Sequence, residues 1–222
     1  MLPAWVHERA ALIVLSVLSL LLVTVYVSSV IPWLSKDVPV PSVPYKSEDL
    51  SAIERRLLAS GVQWELSLWR YCIAAHTLHN ATTVCTLWKE ACDHHTSSSV
   101  CQSVSSLQTL AFLSLSFSIF GLYVAYRTVA HYEVPRPSLA LWCMAIRVCQ
   151  IGLETGMVLI VLPMRKPSLL FPYGLEIGAG VLYCFAHMCC TLGIAGVSLL
   201  VFLRIQTPPR HEYVLFQTVE SP

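Results

Sequence analysis

The sequence predicts an all-α membrane protein, a four-helix transmembrane bundle carrying a small disulfide-stapled extracellular β cap. Three observations lead there. Hydrophobic residues make up 55% of the chain and charged residues only 12%, about half the charged share of a soluble domain. The apolar residues are gathered into long blocks rather than spread at helix or strand period. Cys72, Cys85, Cys92 and Cys101 all fall in the long stretch between the first two blocks. A net charge of +1 excludes the strongly basic footprint of a nucleic-acid binder, so the lipid bilayer is the partner that composition implies.

After a short N-terminal segment, residues 1–9, the first block runs from Ala10 to Leu34 without a charge. About 20 apolar residues suffice to cross a hydrocarbon core, so residues 10–34 are expected to span. A cleaved signal peptide would show a shorter apolar core and a small-residue cleavage site, where this chain has Pro32 and Trp33. The second span is expected over 107–126. It is dotted with Ser114, Ser116 and Ser118, whose hydroxyls can bond back to helix carbonyls or to neighbouring helices. The third, 139–163, carries Arg147, Gln150 and Glu154. The fourth, 171–203, is overlong and has Glu176 and several glycines near its start.

An even number of spans places both termini on one side. Arg9, Arg127, Arg136, Arg204 and Arg210 fall on that side, in residues 1–9, the 127–138 loop and the 204–222 tail, against Arg165 and Lys166 in the opposite 164–170 loop. Positive charge therefore favours cytoplasmic termini. The clustered cysteines and the Asn80-Ala81-Thr82 glycosylation acceptor agree, because disulfides and glycans both need the oxidising side. The expected location is the plasma membrane.

Residues 35–106 are too many for a bare connector and should form a small folded cap. Pro39, Pro41 and Pro44 make its start extended. Ser51 with Glu54 reads as a capping box for a short amphipathic helix near the membrane surface, with Ile53, Leu57 and Leu58 on one face and Gly61 as a stop. From Val62 to Leu68 the pattern alternates as in a half-buried strand, and Thr83–Trp88 is a second strand candidate. Four cysteines allow three connectivities. Cys72 with Cys85 would close a hairpin, and Cys92 with Cys101 would tie its exit to the second span.

The block Cys85-Thr86-Leu87-Trp88 with Cys92, followed by Cys101 and the second span, resembles the signature of the amastins, four-span surface glycoproteins of kinetoplastid parasites. Leu68-Trp69 with Cys72 and Cys85 is similar to the first-loop pattern of the claudin and peripheral-myelin-protein group. Both resemblances imply one claudin-like four-span fold. They imply a non-enzymatic role in cell-surface or host-cell interaction, or in adhesion at junctions, with a protein, glycan or lipid as the partner of the large loop. The cap is expected to present Trp64, Trp69 and Trp88, or their surroundings, to it, and because tryptophan suits both a cap core and an interfacial anchor the sequence leaves open which of the three is exposed.

Other readings compete at particular residues. His76, His79, His94 and His95 crowd the cysteine loop, so a zinc site must be weighed, although cysteines on the oxidising side are more often disulfide-bonded. Arg147 and Glu154 lie seven apart on one helical face inside the hydrocarbon, with His187 of the fourth span as a neighbour. A small proton or ion transporter would use them as its site, whereas a structural protein would use them to fix bundle register. Gly152 with Gly156, and Gly174 with Gly178 and Gly180, have helix-packing spacing, expected to bring spans three and four together and secondarily to serve a homo-oligomer. Cys143, Cys149, Cys184, Cys189 and Cys190 read as small packing residues. Tyr213 to Phe216 resembles a tyrosine-based sorting signal. No nucleophile, phosphate-loop or dinucleotide motif points to catalysis or a cofactor.

Overall fold

A computed structural model of the chain describes residues 4–28, 30–38, 62–76, 81–93, 99–130, 137–166 and 175–206. In chain order these form α1 (Ala4–Val27), β1 (Pro32–Val38), β2 (Val62–Ser67), β3 (Arg70–His76), β4 (Ala81–Leu87), α2 (Trp88–Asp93), α3 (Ser99–Ala130), α4 (Pro137–Met164), β5 (Glu176–Ile177) and α5 (Ala179–Gln206). Four of the helices, α1, α3, α4 and α5, are long and apolar enough to cross a membrane.

These four pack in a ring in which each touches its neighbours in sequence and α5 closes back on α1. The inward residues recur at alternating steps of three and four. In α1 they are Leu12, Ser16, Ser19, Val23 and Tyr26, and in α4 Cys143, Arg147, Gln150, Glu154, Met157 and Val161. The same spacing runs through Ala111, Ser114, Ser118 and Gly121 of α3 and through Cys184, His187, Thr191, Ile194 and Ser198 of α5. A 3.5-residue repeat keeps one seam facing the partner helices and corresponds to left-handed packing.

The bundle is inverted relative to a soluble one. Its middle layer is polar, whereas Val14, Leu21, Trp142, Leu159 and Leu182 on the outside are each about 60% exposed (59–63%). An apolar outer surface of this extent has no place in water. At the opposite end from the sheet, Glu8 in the second turn of α1 holds Arg204 in the last turn of α5, Oε1 to Nη1 3.0 Å. Both charges sit where the helix dipoles favour them.

The sheet is antiparallel throughout, in the order β4-β3-β2-β1-β5. Its alternating strand β2 turns Trp64 and Leu66 inward, as the period-two pattern predicts. Cys72 and Cys85 are register partners on β3 and β4 and are disulfide-bonded, and Cys92–Cys101 joins α2 to the first turn of α3.

Several boundaries differ from expectation. The helix expected over 10–34 ends at Val27, and Pro32–Val38 is a strand instead. Its apolar start is buried on the end of the bundle, so the hydrophobic run continues while the conformation changes. The overlong block 171–203 divides into β5 and a helix beginning at Ala179. Gly178 N donates to Trp33 O at 2.8 Å, which seats this segment against β1. Helices α3 and α4 extend beyond 107–126 and 139–163 at both ends. The expected turn of helix at 51–61 and the prolines at 39, 41 and 44 lie outside the described residues.

Candidate functional site in the bundle interior

Residues 147, 150 and 154 share one face of α4 because three and seven residues are close to whole turns of a helix. That face points to the bundle axis, where Arg147, Gln150 and Glu154 have no solvent exposure. Arg147 and Glu154 lie about 10.5 Å apart along the helix, too far for direct pairing, and the side chains of other helices fill the interval.

Arg147 reaches diagonally to α1. Its Nη1 donates to Gln150 Oε1 at 2.8 Å and lies 3.4 Å from Ser19 Oγ, and its Nη2 is 3.5 Å from Ser16 Oγ. The Gln150 amide nitrogen donates to Ser118 Oγ and to the Ser114 carbonyl of α3. His187 of α5 brings Nε2 to 2.8 Å from Ser19 Oγ and 3.5 Å from Ser118 Oγ. Its Nδ1 lies against Glu154 Oε1 without the geometry of a hydrogen bond. The same carboxylate oxygen accepts from Ser114 Oγ at 3.0 Å and from the Tyr26 hydroxyl at 3.4 Å. All four long helices thus contribute to one buried polar cluster. Glu154 Oε2 and Arg147 Nε have no hydrogen-bond partner among the described residues.

Apolar layers close the cluster at both ends. Leu12, Val124, Ala125, Ile146 and Ile194 lie on one side. Val23, Leu107, Ala111, Met157, Val161 and Trp33 lie on the other. Glycine supplies the space for the cation: a β-carbon on Gly121 would stand 2.7 Å from Arg147 Cζ.

The cap is fastened to the bundle by tryptophans. The last carbonyls of a helix have no partner within it. Trp33 Nε1 donates to Tyr26 O at 3.0 Å and Trp69 Nε1 to Val27 O at 2.6 Å, so two indoles terminate α1. Trp88 Nε1 donates to Ser67 O at 2.9 Å. Leu68 and Trp69 form the β2–β3 turn, which points into the bundle: Leu68 is buried, Gln108 Nε2 bonds its carbonyl, and Trp69 lies edge-on to Phe112. Trp64 and Trp88 are buried and Trp69 partly so, so these rings form the base of the cap rather than a contact surface. Leu87, by contrast, is half exposed on β4.

The glycines differ from expectation as well. Gly156 faces Leu110 of α3, and Gly152 faces open space. Gly178 lies against Pro32 O and Gly180 against the Trp33 ring, so both admit β1 rather than joining the third and fourth long helices. The four loop cysteines are consumed in disulfides and leave no thiolate for zinc. Among the described residues no three His, Cys, Asp or Glu side chains gather to hold a metal. Cys143 and Cys184 are fully buried and Cys190 is buried, as packing residues should be, whereas Cys149 and Cys189 face outward. Asn80, His79, His94, His95, Gly174, Tyr213 and Phe216, with the side chain of His76, lie outside the described residues.

Sequence reasoning finds Arg147, Glu154 and His187 because a charge or imidazole stands out in an apolar run. It misses Ser16, Ser19, Tyr26 and Gly121, whose only signal is the three-four spacing they share with the seam. No family model and no curated protein matches the chain, so the fold and this arrangement of side chains carry the functional reading.

Proposed function

We propose that the chain is a multi-pass surface membrane protein of amastin-like type, with both termini in the cytoplasm and the sheet on the oxidising face. It acts without catalysis, through contact between the cap and a protein, glycan or lipid at a cell surface. The observation that carries this reading is the construction of the cap. Segments from the two connections on one side of the bundle pair into one sheet, Cys72–Cys85 links two of its strands, Cys92–Cys101 ties α2 to α3, and two indoles fix the cap to the end of α1. A rigid platform on a closed bundle suits presentation. Among the described residues the edge strand β4 offers a surface for contact: Val84 and Leu87 are 46% and 50% exposed, and one side of the strand has no partner strand.

The test is adhesion of intact cells expressing the chain to surfaces and to other cells. Val84→Glu with Leu87→Glu should abolish the gain in adhesion while leaving protein abundance and both disulfides unchanged. Adhesion equal to that of non-expressing cells would contradict the proposal, and adhesion only between expressing cells would select the claudin-like, self-associating form.

A second reading, proton or ion movement through Arg147, Glu154 and His187, is favoured by the unpartnered Glu154 Oε2. Glu154→Gln in liposomes distinguishes it: flux in the parent chain and none in an equally abundant variant would establish transport.

A further inference from the structure

The strands of the cap have one end on the bundle. The start of β1 is held there by Trp33, and the β2–β3 turn by Trp69 and by Gln108, which bonds the Leu68 carbonyl. The end of β4 is held by Trp88, whose backbone N–H bonds Trp69 O, and by α2, which Cys92–Cys101 ties to α3. Val38, Val62, His76 and Ala81 stand at the other ends of the same ladders. A rise of about 3.4 Å per residue sets them roughly 20 Å from the anchored ends. Backbone packing of the strands on the long helices is greatest between β1 and α5, where Trp33 at the anchored end meets Gly180. The sheet therefore rises from the end of the bundle, and β4 runs from Ala81 down to Leu87, toward the membrane.

The outer edge of β4 is unguarded. Ala81–Leu87 carries no charge and no proline, and its register with β3 has no bulge, so the usual devices that blunt a sheet edge are missing. The other edge differs: β5 is two residues long and holds Glu176 against Lys36. Cys72 and Cys85 reveal which backbone groups of β4 face outward. Their Cα atoms are 4.1 Å apart, the close spacing of a pair that exchanges no backbone hydrogen bonds. The N–H and C=O of Cys85, and by alternation those of Ala81, Thr83 and Leu87, thus point away from β3.

We propose that β4 pairs antiparallel with β4 of a second copy of this chain in a facing membrane, joining the two sheets edge to edge. This rests on the reading of the cap as a contact surface and names its partner. Full overlap of the two strands sets Val84 against Val84 on a two-fold axis, Thr83 against Cys85, Thr82 against Thr86 and Ala81 against Leu87. The outward backbone groups of Ala81, Thr83, Cys85 and Leu87 then meet in hydrogen-bonded pairs, and Val84 falls at the close-spaced position between them. The reversed copy satisfies the outward row, covers the half-exposed Val84 and Leu87, and opposes no charge to another.

Direction decides where the second copy stands. Each β4 runs toward its own membrane, so two antiparallel strands place their membranes on opposite sides of the pair. One strand edge falls short of the roughly 1,000 Å² that a stable interface buries, so a single pair is weak. An array of such pairs between two membranes multiplies it.

The experiment reconstitutes the full chain in neutral phosphatidylcholine vesicles and reads vesicle tethering by light scattering. Parent vesicles should tether one another. Because residue 84 opposes itself, Val84→Lys vesicles should not, and neither should Val84→Glu vesicles, whereas a mixture of the two should tether because opposite charges then face each other. Recovery in the mixture also shows that both variants fold. If they do not fold, Val84→Cys in two differently tagged vesicle populations should, on mild oxidation, form a disulfide joining the two tags, as the close-spaced pair allows. Tethering that persists in the unmixed charged variants, a mixture no better than its components, or a Val84→Cys link confined to chains of one vesicle would overturn the pairing. Parent vesicles that fail to tether while expressing cells adhere to other surfaces would overturn the pairing alone. Loss of both would overturn the contact reading of the cap as well.

Discussion

Gly121 and Arg147 share one space: a β-carbon on the glycine would stand 2.7 Å from Cζ and 2.7 Å from Nη2 of the guanidinium. The cation is held by Ser16, Ser19 and Gln150 and has no exposed surface into which to retreat. Gly121→Ala should therefore destabilise the bundle by about 1–3 kcal/mol, the usual penalty of overpacking, despite alanine's better helix propensity. Thermal unfolding in detergent measures it. Combined with Arg147→Lys, the two effects should be strongly non-additive, because both act on one contact.

Trp69 ends α1 from 42 residues away. Trp69→Phe keeps the ring against Phe112 and removes the donor to Val27 O. An orphaned helix carbonyl costs about 1–3 kcal/mol, so the melting temperature should fall while the disulfides remain intact. A melting temperature equal to that of the parent chain would remove the indole from its assigned role.

Two glycines with the same expected purpose should behave oppositely. A β-carbon at Gly178 meets the Pro32 carbonyl oxygen at 2.5 Å, and backbone cannot step aside as a flexible side chain can. Gly178→Ala should break the pairing of β5 with β1 and lower stability by at least about 1–3 kcal/mol. Gly152 has nothing within 4 Å, so Gly152→Ala should stabilise α4 by up to about 1 kcal/mol through helix propensity. Parallel unfolding curves of the two variants provide the comparison.

Glu176 on β5 bonds Lys36 on β1 at 2.6 Å. The lysine, by hydrogen bond and then by charge, with a smaller contribution from Arg165, holds this exposed carboxyl below its ordinary range. A depressed carboxylate contributes stability above its unfolded-state value and loses it as pH falls through the folded one. Lys36→Gln should therefore raise the Glu176 titration towards an ordinary glutamate, read from its side-chain carbon shift. An unchanged midpoint would mean that the pair does not persist in solution.

The architecture was legible because length, apolarity and cysteine placement are local properties. The outer limits of the elements were less so. Pro32-Trp33-Leu34 continues the first apolar run, yet it becomes a strand because β2, β5 and the end of the bundle all lie against it. Glu176–Ile177 is too short for any period to show. The serines divide in the two ways open to hydroxyls in apolar helices: Ser116 bonds back to Phe112 O at 2.8 Å, whereas Ser114 reaches Glu154. No composition rule separates them. The seam spacing does, since residue 114 belongs to the row 107, 111, 114, 118, 121 and residue 116 does not. The tryptophans were legible as important but not as to role, because an indole suits a binding surface and a buried donor equally well.

The central claim is that the inverted bundle crosses a membrane with the cap on its oxidising face. Labelling of intact cells with a membrane-impermeant amine reagent, followed by non-reducing peptide mapping, tests it most directly. The account predicts modification of exposed Lys89 and partly exposed Lys36 before permeabilisation, with Cys72 linked to Cys85 and Cys92 to Cys101. Labelling of both lysines only after permeabilisation, with the four thiols free, would contradict it.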